Sequence, residues 1–156
     1  MNAHPALARA ARSHDRVMTA FIVVNALIAS VLSKASNQLG LGVAAGLVGS
    51  IAAGAILVFA GGKPTSRLLL TTLNVAIVAL QLKVSLGAPA VAANIFVSMC
   101  LLLPYCDWRP MALSAALYSL HHLVFQIFSD TPLFSSPVSG PSRIWVYYLL
   151  LSMLSA

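Results

Sequence analysis

Two adjacent histidines, His121 and His122, stand in LYSLHHLVFQ, a stretch that is otherwise almost wholly apolar. Imidazole can ligate haem or a transition metal and can hydrogen-bond between helices. Hydrocarbon offers such a ring no partner, so polar residues in apolar segments carry the most information. The others are Asn25, Asn74, Gln81, Asn94 and Gln126. Successive residues on a helix diverge by about 100°. One helix therefore cannot aim both rings at one point, and each histidine needs its own partner. Haem b or a metal would require a further ligand from another helix. His4 and His14 fall in the N-terminal leader on the wrong side, and Met99, Cys100 and Met153 match poorly in depth. A bis-histidine site would need a homodimer. The acids Asp15, Asp107 and Asp130 all fall at segment ends or in loops, which counts against a proton pump built on a buried carboxylate.

The elements that must position these residues are membrane helices. Of the 156 residues, 60% are hydrophobic and 8% charged, against roughly 25% charged in a soluble domain. Turn-forming clusters divide the chain into apolar segments at about 17–33, 39–60, 68–82, 89–105, 111–128 and 144–156. A span takes about 20 such residues. The expectation is an all-α, polytopic bundle of six transmembrane helices, with residues 1–16 a basic leader and 17–156 the bundle. The first segment has a basic flank but is longer than a signal-peptide core, which favours a retained helix. On the second, Gly42, Gly46, Gly49, Ser50 and Ala53 form a small-residue packing stripe. On the fifth, Ala112, Ala115, Ala116, Ser119, His122 and Gln126 share one face, with His121 beside Ser114, Tyr118 and Phe125. His122 then points into the bundle. Asn94 and the histidines lie at similar depths, roughly 8 and 10 Å from the same end, so Asn94 is a candidate partner for one of them.

Charge sets orientation. Six of the nine Lys and Arg (Arg9, Arg12, Arg16, Lys63, Arg67 and Arg109) fall on one side, and Lys34, Lys83 and Arg143 on the other. The positive-inside rule gives cytoplasmic N- and C-termini. The leader's arginines would then meet anionic lipid on the inner surface. No basic stripe suits nucleic acid. Cys100 and Cys106, six positions apart, form neither a CxxC pair nor a disulfide framework. No internal repeat suggests a transporter. Trp108, Trp145, Tyr105, Tyr147 and Tyr148 fit an interfacial aromatic belt.

Three stretches, SHDRVM, SRLLLTTLNVAIVAL and NIFVSMCLLLPYCDWRPMALSAALYSLHHLVF, carry a resemblance. Together they are similar to the multi-helix N-terminal membrane region of some bacterial methyl-accepting chemotaxis proteins and related signalling proteins. In that family a YRDWRP-like turn precedes HHLLF by about a dozen residues, and the likeness covers about Ser13 to Phe128. It implies a sensory membrane region of the bacterial inner membrane whose last helix leads to a cytoplasmic signalling module. It also implies a polyhistidine site for haem or metal between helices three, four and five. Here Lys83, Ala90, Ala92 and Asn94 stand where the family carries histidines and an acid, and Cys106 replaces the arginine of the turn. Lys83 would instead favour an anionic or carbonyl-bearing ligand.

The resulting expectation is a non-enzymatic sensor in contact with the lipid bilayer and, through its last helix, with a signalling partner. Its candidate ligand residues are His121, His122, Asn94, Lys83 and Gln126, with His121 and His122 the metal candidates. A small haem-binding or electron-carrier subunit and a purely structural bundle are the alternatives.

Overall fold

Prolines, glycines and one asparagine punctuate the chain into helices. A computed structural model describes residues 5–86 and 88–128, and these form α1 (Pro5–Ala35), α2 (Leu39–Ala60), α3 (Pro64–Val84), α4 (Pro89–Cys100) and α5 (Trp108–Phe128). A 3₁₀ turn, Leu103–Tyr105, joins α4 to α5. Pro64 and Pro89 open their helices, where a missing N–H costs nothing. Asn37, at φ 57°, turns α1 into α2, and Gly62, at φ 86°, turns α2 into α3. Both are residue types that tolerate the left-handed region. Asp107 starts α5 by accepting a 3.1 Å hydrogen bond from the Arg109 N–H onto Oδ1, an N-cap. The DWRP motif is thus a helix start.

α1, α2 and α3 are long and apolar enough to cross a membrane. The α-helix expected over 89–105 stops at Cys100. At about 1.5 Å per residue, its 12 residues reach about 18 Å, short of the roughly 30 Å hydrocarbon core. Pro104 explains the stop, because it cannot donate to the preceding turn and it restricts the residue before it. The apolar run continues to Tyr105 through the 3₁₀ turn. The expected sixth segment, 144–156, and the loop before it lie outside the described residues.

The leader expected over residues 1–16 is not a separate element from Pro5 onward, because α1 runs unbroken for 31 residues. ALARAAR is rich in strong helix formers. Ala11, Asp15, Met18 and Ile22 recur at steps of three and four and are all buried.

α3 is the central helix, packed against α1, α2, α4 and α5. Its Leu70 and Ile77 meet Met18 and Ile22 of α1, Ala53 of α2, Leu102 and Tyr105. Its Val75, Val78 and Leu82 meet Ile95 of α4 and Tyr118 of α5. α2 is peripheral and buries Gly42, Gly46, Gly49 and Ala53, the small stripe expected of it. Leu47, Val48, Ile51 and Val58 on its other sides are exposed, as a lipid-facing surface requires.

Candidate functional site

Three amide side chains meet between the helices. Gln81 of α3 donates from Nε2 to the Asn25 backbone oxygen (2.7 Å) and to Asn25 Oδ1 (3.0 Å). Asn94 of α4 donates from Nδ2 to Asn25 Oδ1 (2.6 Å) and to Gln81 Oε1 (2.9 Å). Because Asn25 Oδ1 accepts two amide donors, its orientation is fixed and Nδ2 is the remaining end. That nitrogen is buried with no hydrogen-bond partner among the described residues. The amides tie α1, α3 and α4 together where hydrocarbon would offer them nothing. Depth alone points Asn94 at a histidine, whereas its amide nitrogen bonds to Asn25 and Gln81.

His122 is buried, at 8% exposure, so it does point inward. The inward row of α5 is Ser114, Tyr118 and His122, not the alanine face expected from small-residue packing, and Ala116 is exposed. Tyr118 decides this, because its ring seats among Val75, Val78, Leu82 and Ile95. His121 is half-buried, and the two imidazole centroids are 5.8 Å apart with planes at 63°. Lys83 is exposed at the end of α3. Gln126 lies late in α5, and its side chain falls outside the described residues. Among the described residues, no three His, Cys, Asp or Glu side chains gather in a way that could hold a metal ion. His14, the remaining described histidine, is engaged elsewhere. These residues do not fit the polyhistidine site the resemblance implies.

A second polar cluster forms at the end carrying most of the arginines. Asp15 is fully buried. It accepts 2.7 Å hydrogen bonds from the Gly62 N–H and the Ser66 hydroxyl on Oδ2, and from the Tyr105 hydroxyl on Oδ1. One carboxylate thereby joins α1, the α2–α3 turn, α3 and the 3₁₀ turn. His14, its neighbour, donates from Nε2 to the Leu101 carbonyl at 2.6 Å, which fixes the proton on that nitrogen. The same ring sits edge-on to Tyr105 at 4.3 Å. Arg67 lies over the Tyr105 ring, 5.6 Å from its centroid, and pairs with Asp107 at 3.4 Å. Burial and the hydrogen bond to Asp15 both push the Tyr105 hydroxyl well above its usual pKa.

Reading Asp15 and His14 as parts of a leader overlooked this cluster. A usable signal was present: SHDR, SR and CDWRP each contribute to it, although they lie far apart in sequence. No known protein family, curated protein or solved structure matched the chain.

Proposed function

We propose that this chain is a signal-transducing bundle of the bacterial inner membrane, with cytoplasmic N- and C-termini. In this reading it resembles the membrane region of chemotaxis receptors and does no enzymatic chemistry. The observation that carries the reading is the amide cluster with its unpaired Asn25 Nδ2. A buried donor without a partner costs about 1–3 kcal/mol, which is also the usual size of a coupling energy between sites. A ligand acceptor, or a shift of α4 that supplies one, would recover that energy and move the population of packings. α3 touches the other four described helices, so a change at Gln81 reaches α5 through the Tyr118 contact. His122, one turn beyond Tyr118, and Asn94 are the residues a ligand between α3, α4 and α5 would meet. The departures from the family's histidines favour an anionic or carbonyl-bearing ligand over haem.

Cys106 is exposed in the turn before α5 and serves as a native reporter. In a Cys100→Ser, Ser13→Cys background, spin labels at positions 13 and 106 report the distance between α1 and the start of α5. Short-chain carboxylates and quinones are the probes. At least one should change the distance distribution, and Asn25→Leu should abolish the response. A distribution that no probe alters argues for a purely structural bundle.

A further inference from the structure

The charges at the arginine-bearing end are unequally placed. Arg9, Arg12 and Arg16 are all exposed on α1, and their steps of three and four put them on one face. Lys63 in the α2–α3 turn and Arg109 at the start of α5 are exposed at the same end. The two acids there do not neutralise this surface. Asp15 is buried, with its oxygens taken by Gly62, Ser66 and Tyr105, and Asp107 pairs with Arg67 while capping α5. Among the described residues, five exposed cations therefore share one end with no exposed acid.

Helix length places these cations relative to the bilayer. From Arg16 to Lys34, α1 rises about 27 Å, close to the roughly 30 Å hydrocarbon thickness. The turns carrying Arg12 and Arg9 extend about 10 Å further, enough to pass through the polar layer of one leaflet, roughly 5–8 Å thick. Phe59 and Trp108 are 80% and 73% exposed near the same end, and the amphipathic ring of a tryptophan suits the depth of the headgroups. Arg12 reaches across to α2, its Nε lying 3.5 Å from the position a side chain on Gly61 would take. That places it by the turn that carries Lys63. An arginine and a lysine flanking one turn suit a phosphate, which guanidinium can bind in bidentate fashion.

We infer that Arg9, Arg12 and Arg16, with Lys63 and Arg109, form a binding surface for anionic phospholipid headgroups at this end of the bundle. The aromatic neighbours and the span of α1 favour lipid over an acidic soluble protein. The helical continuation of α1 makes this a shaped surface, whereas a flat-lying leader would offer only diffuse charge.

Native mass spectrometry of the full chain, released from detergent with added phosphatidylglycerol or phosphatidylethanolamine, tests this. The parent should retain phosphatidylglycerol several-fold more than phosphatidylethanolamine, and millimolar inorganic phosphate should not displace it. The R9Q/R12Q/R16Q variant should lose most of that preference. R9K/R12K/R16K keeps the topological charge and should show an intermediate loss. K34Q/K83Q, at the opposite end, should retain lipid like the parent. Equal retention of the two lipids, undiminished retention in R9Q/R12Q/R16Q, or an equal loss in K34Q/K83Q would overturn the assignment. Undiminished retention there would leave the arginines to an acidic protein partner.

Discussion

At the scale of single residues, Tyr105 and Asp15 show how polar groups are accommodated in so apolar a chain. The Asp15 carboxylate accepts three hydrogen bonds, and Tyr105 supplies one of them. Burial, the bond to Asp15 and that residue's charge all raise the Tyr105 hydroxyl above its usual pKa of about 10. In the unfolded chain the hydroxyl loses its proton near pH 10, whereas in the fold it holds the proton to higher pH. The unfolded state thus binds fewer protons above that point, and stability must fall as pH rises. The contribution is complete below about pH 10 and is lost above it. Thermal melts in detergent from pH 8 to 11.5 should show this alkaline loss. Tyr105→Phe should flatten the alkaline limb and lower the melting temperature at pH 8, in line with a lost hydrogen bond to a charged acceptor, about 1.5–3 kcal/mol.

At the scale of elements, the approach of α2 to α1 depends on glycine. A side chain on Gly42 would collide with Ser33, and one on Gly46 would sit 3.1 Å from both the Ala26 carbonyl and Ser30 Oγ. Gly54 has nothing within 4 Å. Gly46→Val should destabilise the bundle by about 1–3 kcal/mol through overpacking. Gly54→Ala should be neutral or stabilising by up to about 1 kcal/mol, through helix propensity. Parallel thermal melts check the pair, and equal losses would show that the two glycines share a role the packing does not give them. The stripe containing Gly42, Gly46 and Gly49 was legible in the sequence because close approach demands small residues at helical spacing. The inward face of α5 was not. Small residues suggested one side, and the fit of Tyr118 against α3 and α4 selected another.

At the scale of the whole molecule, the turns at 61–63 and 101–107 are tied to the same Asp15 node, and the turns at 36–38 and 85–86 lie across the length of α1 and α3 from it. In the orientation proposed above, the first set faces the cytoplasm. An impermeant maleimide should therefore label exposed Cys106 in inverted membrane vesicles and leave it unlabelled in intact spheroplasts. In a Cys100→Ser, Cys106→Ser background, Asn37→Cys should behave in the opposite way. Labelling of both positions from one side would contradict the crossing of α1.

The sequence alone determined that this is an all-α chain with helices long and apolar enough to cross a membrane. It also determined where α2 begins and ends, and which residues let α2 pack closely. Those properties are local: hydropathy, turn chemistry and helical period can all be read within one segment. Only the tertiary structure decided which polar groups meet. Asn25, Gln81 and Asn94 are far apart in sequence, and nothing in their own segments says that they share hydrogen bonds. Asp15 looks like a charge at a helix end until Gly62, Ser66 and Tyr105 are brought around it. In hydrocarbon a polar side chain must find its partner within the protein, and packing, which is non-local, chooses that partner.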